Sequence, residues 1–267
     1  MNKIAALLKK DFLLESSYKF SFIFNIIGIF SSILIYFFID KLFGYRIAGH
    51  LKEFGVNYFA YVLLGMAFFS YIGVGLGSFS ERIRLEQTQG TLEAIFLTPT
   101  KVSTILVSLS LWNLIFASFD MFVYIILGIY CFNINFSNIN ILSSCLTLIL
   151  TIMSFSSLGI LSASFVIVFK RGNPVSWFVS TLEGLLGGVY FPITVLPGWL
   201  QFAAKFFPIT YSVRAMELSV YRGYSAAQLF KELSFLLAFT ILLLPLSVKA
   251  FQYSLKKARR DASLTQY

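Results

Sequence analysis

The chain has 267 residues, 58% of them hydrophobic and only 12% charged, with a formal net charge of +9. A soluble domain carries about 25% charged residues, so the composition excludes an ordinary soluble globular protein. The mean hydropathy is +0.81, and the charges cluster between apolar blocks about 20 residues long, the length of a bilayer-spanning helix. An integral membrane protein follows, and the basic excess is read as cytoplasmic flanks rather than as a nucleic-acid surface.

In chain order, Met1–Lys19 is expected as a helix at the inner membrane surface. Its amphipathicity is imperfect, because Asp11 and Glu15 fall on the side of Ile4 and Leu8. It has no apolar h-region and no small-residue cleavage site, so no cleavable signal peptide is expected. Six apolar blocks follow: Phe20–Ile39, Val56–Phe79, Val102–Tyr130, Leu142–Phe169, Val175–Tyr190 with an apolar continuation, and Leu233–Val248. With both termini cytoplasmic, the inner segments hold twice as many Lys and Arg as the outer ones, which sets the orientation. The Asn-rich loop Cys131–Asn140, with no charge at all, then lies outside.

Between the second and third blocks stands Glu81–Pro99, ERIRLEQTQGTLEAIFLTP. Treated as one helix, it places Arg82, Glu86, Gln89 and Glu93 on one polar face and Leu85, Leu92 and Phe96 on an adjacent apolar stripe. The polar face is expected to look into the cytoplasm and the stripe to anchor the segment to the bundle. Gly90 permits a bend or a close approach, and Thr98-Pro99 fits an N-cap and N1 pair for the next span. From this pattern alone a solvated connecting helix is the simpler reading.

The apolar stretch from Val175 to Thr210 is too long for one span. At ~1.5 Å per residue it gives a helix well beyond the ~30 Å hydrocarbon core. Pro192, Pro197, Gly198 and Pro208 interrupt it. The expected shape is a span, a turn dipping back into the outer leaflet, and a short helix around Trp199–Phe207; an amphipathic surface helix is the alternative. The architecture is thus a single all-α transmembrane domain over 1–267: six spans, an N-terminal interfacial helix, a cytoplasmic helix and a re-entrant helical hairpin before the last span.

Chemistry is sparse. One histidine, His50, in an outer segment, excludes a His-paired metal helix and His-based nucleophiles. Cys131 and Cys145 read as ordinary residues of apolar segments. No Gly-Lys dipeptide occurs, so the chain carries no Walker-type phosphate loop. Asp120 and Glu183 lie inside spans, where carboxylates are costly and count as functional candidates. The alternative is that each is satisfied by a polar residue on a facing helix. Neither metal nor cofactor is expected in this chain.

The run Glu86-Gln-Thr-Gln-Gly90-Thr91-Leu92-Glu93, followed by Leu97-Thr98-Pro99, resembles the cytoplasmic signature of ABC-2 type transporter permeases. Gly187-Gly-Val-Tyr190-Phe191-Pro192, with Leu196-Pro197-Gly198-Trp199 and Phe207-Pro208-Ile-Thr-Tyr211, resembles that family's fifth-span exit with its re-entrant helices. The resemblance covers essentially the whole chain. It implies a non-enzymatic transport subunit in the cell membrane, coupled through Arg82, Glu86, Gln89, Gly90, Thr91 and Glu93 to two copies of a separate ABC ATPase that carries ATP and Mg. It further implies a second permease copy, with Asp120, Glu183, Tyr190 and Phe191 as candidates for the substrate path or dimer contact. The expected activity is export of an amphipathic drug, antibiotic, lipid or lipid-linked glycan, nearer to the drug-resistance-like branch. A dedicated polysaccharide exporter is the alternative within the family. An ATP-independent channel, insertase or membrane enzyme is the alternative outside it.

Overall fold

Apolar runs that satisfy their own backbone form helices in a bilayer, and the chain does so nearly throughout. A computed structural model describes residues 9, 12–13, 19–97, 102–169 and 174–260, so the expected N-terminal interfacial helix and the Thr98-Pro99 cap lie outside the described residues. The helices are α1 (Lys19–Ile47), α2 (Tyr58–Thr88), α3 (Leu92–Leu97), α4 (Val102–Phe132), α5 (Ile141–Phe169), α6 (Pro174–Leu186), α7 (Gly198–Ala204), α8 (Pro208–Tyr221) and α9 (Phe230–Arg260). Short 3-10 turns occupy Ala48–Leu51 and Ile193–Val195, and there is no strand among the described residues.

Among the described residues, five helices, α1, α2, α4, α5 and α9, are long and apolar enough to cross a membrane. The block expected as the fifth span appears as α6, whose 13 residues reach about 20 Å at ~1.5 Å per residue. It stops before Pro192, because the chain leaves the helix at the Gly187-Gly188 pair. Gly188 takes a φ of +77°, the Tyr61 hydroxyl donates to its carbonyl, and Gly65 leaves room for the carbonyl of Val189. The backbone freed there is satisfied against α2, as membrane depth requires.

The hub is α2 against α5. Gly159 sits where any Cβ would meet the carbonyl oxygens of Gly75 and Leu76, and a Cβ on Gly75 would lie 2.9 Å from that of Phe155. Small residues at such positions let helix backbones approach closely. Thr147, Thr151, Ser154, Ser157 and Ser162 of α5 are all buried. Ser154 exchanges a 2.8 Å hydrogen bond with Thr240 of α9. The helix α8 packs over one end of this hub through Ile209, Val213, Met216 and Val220. At the opposite end Ile83, Leu92, Ile167, Phe251 and Leu255 form a separate apolar cluster that ties α2, α3, α5 and α9 together.

Candidate functional site

The charged segment is not one helix. It is the last two turns of α2, a corner at Gly90, and the short α3. Gly90 has a φ of +70°; its N–H donates to Gln87 O at 3.1 Å and that of Thr91 to Glu86 O at 3.0 Å. These are the two bonds of a Schellman motif, which needs a left-handed residue and therefore favours glycine.

The corner is locked from inside by Glu86, only 2% exposed. Its carboxylate accepts from the Thr91 hydroxyl and lies 3.5 Å from Arg82 Nε one turn earlier. A buried carboxylate needs such partners. Leu92 is buried beside them in the end cluster, while Leu85 is 43% exposed.

This corrects the single-helix expectation. Glu86 faces the bundle rather than the outside, and Leu85 faces outward instead of anchoring. Gly90 breaks the wheel, so Leu85 need not share a face with Leu92; Glu86, on the unbroken part of α2, is turned inward by the face of α2 that packs, and is partnered there by Arg82 and Thr91. The outward face of the corner is made by Glu81, Arg84, Leu85, Thr88, Gln89 and Thr91. Glu93 is placed on α3 and Phe96 beside it, but their side chains lie outside the described residues.

About two to five turns before the corner, a cleft of about 380 Å³ opens between α2 and α6. Gly73, Gly77 and Ser80 line it on the α2 side, Trp177 on α6, and Glu81 and Arg84 flank it toward the corner. A Cβ on Gly73 would touch nothing, so the cleft is open on that side. Trp177 is largely exposed. The result is a slot with apolar walls and a charged rim, a shape suited to an amphipathic molecule.

Other predicted residues are dispersed. Asp120 of α4 accepts a 2.6 Å hydrogen bond from Asn25 of the facing helix α1. Tyr190 stacks on Tyr36 of α1 with ring centroids 5.7 Å apart, and Phe191 beside it is half-buried. Pro192 is buried, Pro197 and Gly198 are exposed ahead of α7, and Pro208 is buried at the N1 position of α8. Glu183 is placed on α6, but its side chain lies outside the described residues. No group of three or more metal-ligating side chains gathers among the described residues.

Glu217 was missed from the sequence. It lies on α8, 1% exposed, and neither carboxylate oxygen has a hydrogen-bond partner among the described residues. Burial raises its pKa well above the ordinary value, so its neutral form is favoured. The signal was present: Glu217 follows Val213 by four residues and precedes Val220 by three, which puts it beside the apolar face of the helix. Arg214, three residues before Glu217, instead pairs with Glu53 at 2.6 Å and Glu232 at 3.3 Å.

The family model described as ABC-2 type transporter matches residues 2–221. That covers the corner at Gly90, the cleft and the helices α1 through α8. No curated protein matches the chain significantly. The chain belongs to the ABC-2 type transporter family, and is therefore a membrane transport subunit rather than a catalytic one.

Proposed function

We propose that this ABC-2 family chain is the permease of an ATP-driven exporter, carrying an amphipathic cargo outward from the cytoplasm or inner leaflet. The observation that supports the reading best is the Gly90 corner. A surface that transmits a push must be stiff behind and accessible in front. The contacts of Glu86 with Thr91 and Arg82 stiffen the corner, Ile83 and Leu92 pack it on the bundle, and Arg84, Leu85, Thr88 and Gln89 are exposed to meet an ATPase subunit. Because α2 runs without interruption from the corner into the hub, a displacement at Gly90 moves the most deeply packed of the span-length helices.

The corner then lies in the cytoplasm, with both termini on that side of the plasma membrane. Two ATPase subunits and a second permease copy complete the transporter. The slot between α2 and α6 sits at the depth where an inner-leaflet amphipath enters, with Trp177 for its apolar part and Glu81 and Arg84 for its polar part. A drug, an antibiotic or a lipid satisfies that description.

The test is co-purification with the ATPase, followed by ATP hydrolysis in lipid. Arg84→Glu and Leu85→Asp should each weaken complex formation about tenfold, since a reversed or newly buried charge at an interface opposes docking. Their thermal stability should stay near that of the unaltered protein. Full complex formation by both variants, or a permease that leaves hydrolysis unchanged, overturns the reading.

A further inference from the structure

The coupling corner leaves the Asn-rich loop after α4 without a role. Asn133 ends α4 in a left-handed conformation with φ 53°, which Asn tolerates because its short side chain is polar and unbranched. The loop then folds across the starts of α2 and α5. Asn140 donates its N–H to Ser219 O at 2.9 Å and accepts from Ser143 N at 3.1 Å, capping α5. Gly223, at φ +67°, has no Cβ to obstruct the carbonyl of Asn138. The loop is therefore held at both ends.

Beneath it lies a cavity of about 330 Å³ with no charged side chain in its lining. Its polar wall is Asn57, Asn133, Asn135, Ser137 and Asn138. Two of these amides are half committed: Asn57 Oδ1 accepts from Ala60 N at 3.0 Å and Asn135 Oδ1 from Ser137 N at 2.8 Å. Their NH₂ groups are left as donors. The side-chain amides of Asn133 and Asn138 make no hydrogen bond among the described residues, so each offers a carbonyl and an NH₂. Phe132 and Tyr221 supply the apolar wall. The Tyr221 hydroxyl is already spent on the carbonyl of Ala60 at 2.7 Å, and Arg222 nearby is spent on the carbonyls of Glu53 and Lys52.

A ligand here meets closely mixed donors and acceptors and no formal charge. An anion would face amide carbonyls without a neutralising cation, and a cation would find no carboxylate. Hydroxyl groups both donate and accept, so a ring bearing several of them can use every amide, while its C–H face packs on the half-buried Phe132. The volume falls at the lower end of the ligand-pocket range of roughly 300–1,000 Å³, sufficient for one or two sugar rings. Fixed loop ends lower the ordering cost of binding.

We propose that this Asn-lined cup binds a neutral pyranose sugar, free or carried as the headgroup of a glycolipid. The proposal rests on the permease reading only for the side of the membrane it assigns, the outer one. The test uses no ATPase, so its failure and the failure of that reading are distinguishable.

The full-length protein is placed in nanodiscs of phosphatidylethanolamine and phosphatidylglycerol, free of sugar-based detergent. Saturation-transfer NMR then reads binding of methyl glucoside and maltose to the unaltered chain, with betaine, choline and inorganic phosphate in parallel. Saturation transfer to the sugars alone is expected. It should weaken about tenfold or more in Asn133→Ala/Asn138→Ala, because two uncommitted amides are removed. Asn138→Asp, which keeps the shape but loses donors, reads the same site should the double variant fail to fold. Nanodiscs containing glucosyl-diacylglycerol separate the sources. If they abolish the methyl-glucoside signal the cup takes lipid-borne sugar, and if they leave it the cup takes free sugar; either supports the proposal. No transfer to either sugar, equal transfer to betaine, choline or phosphate, or an undiminished signal in folded variants overturns it.

Discussion

Helices α1 and α2 make an instructive pair. Both are span-length, and α1 is the more apolar, with a peak mean hydropathy of 2.4 against 1.9. Yet 72% of the α2 window is buried inside the protein and only 11% of the α1 window. In water the greasier helix would be the one drawn into the core. In a bilayer the lipid tails are as apolar as Leu, so hydropathy does not rank helices by depth, and close packing and polar contacts do. The α2 sequence has Gly65 and Gly75 for backbone approach, where α1 has bulky Ile and Phe. The small and hydroxyl residues of α5 complete the hub, and α1 is held chiefly by scattered ring contacts and by Asn25.

The sharpest test of that comparison is a matched pair of glycines. Gly159→Leu drives a side chain into the carbonyls of Gly75 and Leu76. Backbone is on the other side, so neither helix can yield without separating. Overpacking alone costs about 1–3 kcal/mol, and this contact is worse than the usual case. Little or no monodisperse protein should be recovered by size-exclusion chromatography. Were Gly159→Leu to purify normally, close approach would not be what holds α2 to α5.

Glu217 gives the next largest effect, and it is dependent on pH. Burial raises its pKa from an ordinary 4.5. Above that value the unfolded chain has released the proton while the folded protein retains it. Stability is therefore full below about pH 4.5 and falls as pH rises toward the folded pKa. Glu217→Gln keeps the shape and removes the titration. Its thermal midpoint should exceed that of the unaltered protein by a few degrees at pH 8, and the two should converge toward pH 5. Parallel curves across that range would show that the carboxyl is not held neutral.

Breaking the α1 attachment should cost less. Asn25→Ala removes the amide that donates to Asp120 and should destabilise by about 1 kcal/mol, in line with interhelical hydrogen bonds in membranes. Protection of α1 amides from hydrogen exchange should fall while that of α2 is unchanged. Equal losses in both helices would mean that α1 belongs to the hub after all.

The smallest effect is the other half of the matched pair. Gly28 of α1 has nothing within 4 Å of where a Cβ would stand. Gly28→Leu should leave the thermal midpoint within about 1 °C, its side chain meeting lipid alone. A large loss there would reveal that another protein surface, such as a second copy, covers this face.

These contrasts separate what is local from what is not. The block Leu142–Phe169 and the helix Ile141–Phe169 agree to one residue at the start and coincide at the end, since length, apolarity and the flanking Asn and Lys are all local features. The break after α6 was also legible, although the sequence pointed to Pro192 and the chain uses Gly187. Proline announces that a helix cannot continue, but a glycine pair ends one only when something waits for the freed backbone. Here Tyr61 and Gly65 do so.

The same limit governs the sites. The motif around Gly90 identified the family and located the corner, because a left-handed turn needs a residue without Cβ wherever it occurs. It did not reveal that Glu86 turns inward, since which face of α2 packs on the bundle is a tertiary matter, and the acid is accommodated there by Arg82 and Thr91. Nor did a lone acid beside an apolar helix face show that Glu217 is buried without a partner. By itself the sequence determined a multi-span α-helical membrane protein, its helix lengths and its ABC-2 corner, all consequences of bonds and periodicities within a few residues. Which helix lies at the centre, which acids face inward and where the Asn loop closes a cavity were decided by tertiary packing. A bilayer rewards every apolar surface alike, and only contact between helices distinguishes one from another.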